Sequence, residues 1–92
     1  MVLPFTKSEI KLLKEINEKG SVTSSTQKSY FLKISFYLAI GKLKKYGLVQ
    51  QNGFTKSNEK IWQLTEKGKK FVKAYEKLEK MLEAILSQPP TR

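Results

Sequence analysis

The sequence contains no cysteine, no histidine and no aspartate. Disulfides, thiol nucleophiles, imidazole bases and the usual zinc sites are therefore excluded. Paired carboxylates would have to come from glutamates on lysine-rich segments, and the 5 glycines are too scattered to form a phosphate-binding loop. We therefore expect neither an enzyme nor a protein that carries a metal or another cofactor.

Long hydrophobic runs are also missing. No stretch approaches the roughly 20 apolar residues of a membrane-spanning helix, and the residues before the first predicted helix are too few for a signal peptide. A chain of 92 residues is large enough for one domain with a modest core. We therefore expect one cytoplasmic domain that has no membrane partner and no evident small-molecule effector.

Acidic residues are few and unevenly placed. The formal net charge is +10, all 8 acids are glutamates, and none of them lies between Lys19 and Asn58. A surface shaped only for solubility would intersperse both signs, as the flanking segments do. The acid-free block favours a surface that binds a polyanion, and we expect nothing to neutralise its lysines. They are Lys28, Lys33, Lys42, Lys44, Lys45 and Lys56.

The middle of the chain predicts an amphipathic helix. Phe36, Ile40 and Leu43 recur at intervals of four and three residues, which places them on one buried face. Ser35 can serve as the N-cap, and Gly47 supplies a left-handed stop before a strand. The alternative is an ordinary helix with solvated lysines. The opposite face carries Tyr37, Leu38, Gly41, Lys42, Lys44 and Lys45.

An earlier helix is signalled more strongly. The motif TKSE at residues 6–9 is a capping box, and Phe5 can pack on Ile10 as a hydrophobic staple. Gly20 ends this helix, and residues 21–23 can add a short strand.

After Gly47 the sequence predicts a β-hairpin. Residues 48–51 and 60–64 are the two strands. The turn can lie at the dipeptide Asn52-Gly53 or nearer Ser57-Asn58, and both positions remain open. We expect the core to contain Ile10, Leu13, Ile16, Phe36, Ile40, Leu43, Ile61 and Leu64.

The last segment predicts a long helix. Thr65 caps it, and it runs to about Ser87, or roughly 33 Å. Its distal half has no partner in the chain, so we expect it to pack against a second copy; the alternative is a helix that folds back on its own domain. The dimerisation seam recurs at intervals of 4, 3, 4 and 3 and comprises Phe71, Tyr75, Leu78, Leu82 and Ile85.

Two short strings carry a resemblance to a known family. LKKYGLV at residues 43–49 resembles the exit of a recognition helix into a strand, and LTEKGK at residues 64–69 resembles the entry into the terminal helix of many bacterial and archaeal regulators. With the order of elements, the chain resembles a winged helix-turn-helix over residues 6–87. It is similar to archaeal winged-helix proteins that dimerise through a C-terminal coiled coil.

The resemblance implies an α+β, mostly α, fold with a two- to three-stranded wing and a long C-terminal dimerisation helix. The DNA-binding domain would span residues 1–65, the dimerisation helix residues 66–87, and a disordered tail residues 88–92. The fold also requires a short second helix, which we assign to the polar residues 24–32. Lys33 and Ile34 then form the turn, with Ile34 buried.

In function, the resemblance implies a homodimeric protein that binds double-stranded DNA, with the third helix in the major groove and the wing on the backbone. It would be a transcriptional regulator associated with the nucleoid. The alternatives are an architectural DNA-binding protein of low specificity and a protein-interaction module. Gly41 would allow close approach to a phosphate or to the second helix. The implied DNA contacts are Lys33, Ser35, Tyr37, Leu38, Gly41, Lys42, Lys44, Lys45, Lys56 and Lys60.

Overall fold

The computed structural model describes residues 3–27 and 32–90. Within these ranges the chain forms three helices and a two-stranded antiparallel hairpin. This arrangement confirms the predicted α+β, mostly α, fold. In chain order the elements are α1 (Lys7–Lys19), α2 (Lys33–Lys45), β1 (Val49–Phe54), β2 (Lys60–Leu64) and α3 (Glu66–Leu86).

Helix α1 begins and ends as its sequence predicts. The Thr6 hydroxyl accepts a hydrogen bond from the Glu9 amide at 3.2 Å, and the Glu9 carboxylate accepts one from the Thr6 amide at 2.8 Å. These two bonds complete the capping box. Gly20 ends the helix with φ of 89°, a conformation that glycine adopts without steric cost.

Helix α2 begins earlier than predicted, which corrects two assignments. Its N-cap is Leu32, whose carbonyl accepts a hydrogen bond from the Phe36 amide at 2.7 Å. Ser35 therefore lies inside the first turn and is not the cap. Lys33 and Ile34 are helical and do not form a turn. Two helical positions rotate Ile34 by about 200° from Phe36, so its side chain is 78% exposed and not buried.

The predicted second helix is not formed by the described part of residues 24–32. Residues 24–26 make a single turn, in which the Thr23 and Thr26 hydroxyls each accept a hydrogen bond from the other residue's amide at 3.2 and 2.9 Å. These bonds have the reciprocal pattern of a capping box, and the Gln27 amide donates to the Thr23 carbonyl at 3.1 Å, as in the first turn of a helix. The remainder of the prediction, at residues 28–31, lies outside the described residues.

The hairpin turns at the second of its two predicted positions. The Thr55 amide donates to the Glu59 carbonyl at 2.8 Å, and Asn58 adopts a positive φ of 65°. Gly53 lies at an irregularity in β1, not in the turn. The short third strand is reduced to one bridge, in which Val22 and Trp62 exchange two backbone hydrogen bonds at 2.9 and 3.0 Å.

The core lies between α1, α2 and the hairpin, with one difference from the prediction. Ile61 is only half-buried, whereas Trp62 is 5% exposed. Side chains alternate along a strand, so Trp62 shares its face with Leu64 and Ile61 takes the other face. The buried apolar residues include Leu12, Leu13, Ile16, Val22, Phe36, Ala39, Ile40, Leu43, Leu48, Val49, Trp62, Leu64 and Val72.

Helix α3 leaves the domain after its first half. The Thr65 hydroxyl caps it by accepting from the Gly68 amide at 3.0 Å, and Val72 is buried in the core. Farther along, Lys14 donates a hydrogen bond to Glu79, which raises the pKa of the Lys14 ammonium. Residues 80–90 are all exposed, and the molecule measures 60 × 25 × 22 Å. No helix in residues 3–27 and 32–90 is long and apolar enough to cross a membrane.

Candidate nucleic-acid interface

One face of α2 turns directly away from the core. The buried residues Phe36, Ala39, Ile40 and Leu43 define the inner face. The outer ridge, diametrically opposite, follows the helical repeat at intervals of four, three and four residues. Its members are Ile34, Leu38, Gly41 and Lys45, all exposed.

The outer ridge is apolar in its first two turns. Ile34 is 78% exposed and Leu38 is 71% exposed, although both are large aliphatic side chains. Sequence reasoning identified Leu38 but missed Ile34, because it placed Ile34 in a buried turn. The spacing Ile34, Leu38, Gly41, read against Phe36 and Ile40, was the signal that could have found it.

The flanks of α2 carry the remaining predicted contacts. Tyr37 is exposed at the edge of the core, with its ring 5.6 Å from that of Phe36. On the same flank the Lys44 ammonium lies 6.0 Å from the centroid of the Trp62 ring. Ser35 lies on the other flank and is exposed.

Lys42 is neutralised, contrary to the sequence prediction. Its ammonium donates to the Glu9 carboxylate at 3.1 Å and lies 5.7 Å from the centroid of the Phe5 ring. Glu9 precedes the acid-free block by sequence but reaches it through the packing of α1 on α2. Lys42 is therefore held by the domain itself, and its charge is less available to an outside anion than that of an exposed lysine.

The other predicted cations remain open to solvent. Lys33 and Lys45 lie on exposed positions of α2, Lys56 lies in the hairpin turn and Lys60 begins β2. Within the described residues, none of these four forms an ion pair with a carboxylate. Five predicted lysines are therefore exposed. Lys33, Lys44 and Lys45 lie on α2, and Lys56 and Lys60 lie on the hairpin.

A single carboxylate approaches the hairpin end of the acid-free block. Glu59 accepts hydrogen bonds from the Ser24 hydroxyl at 2.8 Å and from the Ser25 hydroxyl at 2.8 and 2.9 Å. These bonds lower the pKa of the Glu59 carboxyl, with a smaller contribution from the charge of Lys33. Glu59 therefore joins the turn at residues 24–26 to the hairpin turn.

Gly41 lies on the outer ridge with no described protein atom near it. A Cβ built at this position would have nothing within 4 Å. Among the described residues, helix packing therefore gives no reason for a glycine at this point. The alternative of close approach to the predicted second helix involves residues 28–31, which lie outside the described residues.

The two strings that carried the resemblance meet in space. The Thr65 hydroxyl donates to the Gly47 carbonyl at 2.5 Å, and the Thr65 amide donates to the Leu48 carbonyl at 3.0 Å. Gly68 then packs directly on the Leu48 backbone. This junction holds the exit of α2 against the start of α3 and so orients α2 in the domain.

The predicted dimerisation seam divides into two parts. Phe71 and Tyr75 are half-buried, and their rings stack at a centroid distance of 6.2 Å. Phe71 also meets the ring of Phe5 edge-on at 5.5 Å. Beyond them the seam is open, with exposed fractions of 46% at Leu78, 50% at Leu82 and 61% at Ile85.

Comparisons with known proteins identify the fold. No protein-family model and no curated protein sequence matches the chain. Among solved structures, it superposes with a TM-score of 0.69 on a PadR family transcription regulator from Clostridium difficile R20291, with 20% identity over 90% of this chain and 97% of that one. FabT of Streptococcus pneumoniae, solved in complex with DNA, gives a TM-score of 0.74 with 16% identity over 95% of this chain and 64% of FabT.

A third similar structure is SSV1 F-93, with a TM-score of 0.59 and 22% identity over 92% of this chain and 99% of that one. These likenesses cover nearly the whole chain, and together with α2, the hairpin and α3 they establish its architecture. As the two sequence strings predicted, the chain has the winged-helix fold that is found in PadR- and MarR-type regulators.

Proposed function

We propose that this protein is a homodimer that binds double-stranded DNA and regulates transcription at the nucleoid. Helix α2 is the recognition helix in the major groove, and the hairpin is a wing that contacts the flanking backbone. The observation that carries the proposal is the exposed outer face of α2, which holds no carboxylate and is bordered by Lys33, Lys44 and Lys45, none of which forms an ion pair with a described residue.

The proposal gives the exposed lysines a common role. Lys33, Lys44 and Lys45 on α2 and Lys56 and Lys60 on the hairpin contact phosphates, which supplies affinity and register without sequence information. Ser35 and Tyr37 offer hydroxyls to the groove. The similarity to FabT, which was solved in complex with DNA, supports this use of the fold.

The exposed end of α3 supports the homodimer. Five large apolar side chains, between 46% and 83% exposed, project beyond the domain on this half-helix. Burying them against a second copy would remove them from water and set the spacing of two recognition helices. They are Leu78, Met81, Leu82, Ile85 and Leu86.

A second candidate is an architectural protein with little sequence preference. It is favoured by the lack of arginine on α2, since lysine neutralises phosphate without fixing a bidentate geometry. Selection from a random DNA pool separates the two: an enriched palindrome supports the regulator, and an unenriched pool supports the architectural protein. A protein-docking role for α2 fits less well, because protein interfaces are depleted of lysine.

DNA binding is tested by removing lysine charges in matched pairs. We expect Lys45→Gln with Lys56→Gln to weaken DNA binding strongly, because both ammonium groups are exposed and unpaired within the described residues. Each lost phosphate contact should lower the slope of log affinity against log salt by about 0.9. Fluorescence anisotropy at several salt concentrations measures both quantities.

The control for this experiment removes the same charge from α3. Lys73→Gln with Lys77→Gln changes two exposed lysines on the face of α3 that turns away from the seam. We expect this pair to alter affinity much less. Equal losses from the two pairs would show that net charge alone attracts DNA and would contradict the proposed interface.

Gly41→Ala should raise the stability of the fold and lower the affinity for DNA. Alanine is favoured over glycine inside a helix by about 0.8–1 kcal/mol, and the open space at Gly41 accepts the methyl group. On the outer ridge, however, that methyl would hold α2 away from the groove, so DNA affinity should fall several-fold. Thermal unfolding and anisotropy measure the two effects, and an unchanged affinity would show that DNA does not approach this position.

A further inference from the structure

We propose that the outer ridge of α2 reads thymine methyl groups, so that the protein prefers major grooves rich in A·T pairs. The inference rests on the proposed function and names the bases that this site selects. The residues that carry it are Ile34 and Leu38, with Gly41 beside them.

The chemistry of α2 leaves few other ways to read a base. Guanine is read by arginine or lysine, adenine by asparagine or glutamine, and cytosine by a carboxylate. The 13 positions of α2 include no arginine, asparagine, glutamine or carboxylate, and none of its four lysines lies on the apolar part of the outer ridge. The thymine methyl is the apolar group that a base pair presents in the major groove, and aliphatic side chains are its natural contacts.

The geometry of the ridge suits that contact. Ile34 and Leu38 are one helical turn apart, so their Cβ atoms are separated by about 5–6 Å, which lies between one and two base steps of about 3.4 Å each. Both belong to the first two turns of α2, the part of a recognition helix that contacts base edges. Gly41 follows on the same ridge without a side chain, which lets the helix axis approach the groove.

The lysines around this apolar ridge favour DNA, rather than a protein, as the partner that covers it. Lys33 and Lys45 are exposed at the two ends of α2, and Lys44 lies on its flank. An apolar strip bordered by lysines matches a groove lined by methyl groups and edged by phosphates. A protein surface that covered Ile34 and Leu38 would have to bury or pair these cations as well.

The test removes the methyl group and leaves base pairing intact. One duplex contains only A·T pairs, and its partner has every thymine replaced by deoxyuridine, which lacks the C5 methyl. We expect the wild-type chain to bind the thymine duplex about tenfold more tightly, as expected for the burial of roughly two methyl groups. A G·C duplex should gain affinity when its cytosines carry a methyl at the same C5 position.

Variants assign the effect to the ridge. Ile34→Ala with Leu38→Ala should bind the thymine and deoxyuridine duplexes equally, and the exposure of both side chains means that the fold should be kept, as circular dichroism will show. The matched control is Lys73→Ala with Lys77→Ala, which truncates two exposed side chains one turn apart on α3. Its preference for thymine should equal that of the wild type.

The failures of the two proposals are distinguishable. If the wild type binds both duplexes with equal affinity, or if the Ile34/Leu38 variant keeps its preference for thymine, the reading of methyl groups is overturned and DNA binding stands. If the wild type binds no duplex at all, the proposed function is overturned with it.

Discussion

Replacing Gly68 by alanine should destabilise the fold strongly. Gly68 is buried in the first turn of α3, where an added Cβ would overlap the Leu48 carbonyl oxygen and lie 3.0 Å from its carbon. The opposing atoms are backbone, so no side chain can rotate away. Overpacking of this kind costs about 1–3 kcal/mol, and sometimes more.

The Leu48 backbone has little freedom to move. Its carbonyl accepts a hydrogen bond from the Thr65 amide at 3.0 Å, and its amide donates to the Leu43 carbonyl at 3.0 Å. Relief of the clash would therefore break the cap of α3 or the exit of α2. Because this junction orients α2, the proposed recognition helix, we expect Gly68→Ala to weaken DNA binding as well.

Urea unfolding followed by circular dichroism measures the change in unfolding free energy. Gly41→Ala is the matched control, since it makes the same substitution inside a helix but at a position open to solvent. We expect opposite signs, with stability lost at Gly68 and gained at Gly41. A Gly68→Ala protein as stable as the wild type would mean that α3 does not pack on the Leu48 backbone as described.

Helix ends were predictable from sequence wherever a side chain caps the helix. Thr6 and Glu9 bond each other's amides three residues apart, and Thr65 bonds the amide of Gly68 at the same separation. Such contacts are local, so residue type and spacing are sufficient to predict them. The start of α2 had no such signal, because Leu32 caps it through the backbone alone.

The sequence predicted the lysines of the candidate site, but it did not predict that Lys42 forms an ion pair with Glu9. Lys42 and Glu9 are 33 residues apart, and their contact depends on how α1 packs against α2. No local pattern reports that packing. Ile34 is different, because its spacing from Phe36 and Ile40 indicated the outer face, and only the misplaced start of α2 put it in a buried turn.

In the distal half of α3, the sequence predicted the pattern of the side chains but not what they contact. Its apolar repeat was readable from sequence, and the structure shows Leu78, Leu82 and Ile85 exposed, whereas Phe71 and Tyr75 pack partly on their own domain. A repeat predicts which side chains share a face but not what covers them. Dimerisation through this seam therefore remains a prediction, and it has a direct test.

Leu82→Glu should convert a dimer into a folded monomer with much weaker DNA binding. Leu82 lies at the centre of the open part of the seam, where a partner copy would bury its side chain. A carboxylate buried there without a partner is costly enough to prevent association. The winged-helix domain should stay folded, because its core contains no residue of α3 beyond Val72.

The loss of affinity follows from the loss of the second recognition helix. Two linked sites bind about 100-fold or more tightly than one, so a monomer should lose that factor. Light scattering measures the mass, circular dichroism the fold, and anisotropy the affinity.

The matched control is Ala84→Glu, which adds the same charge to an exposed position on the opposite face of α3 and should leave the dimer intact. A wild-type chain that is monomeric at about 10 μM, the concentration expected to reveal a modest interface, would contradict this assembly, and the exposed seam would then need another partner.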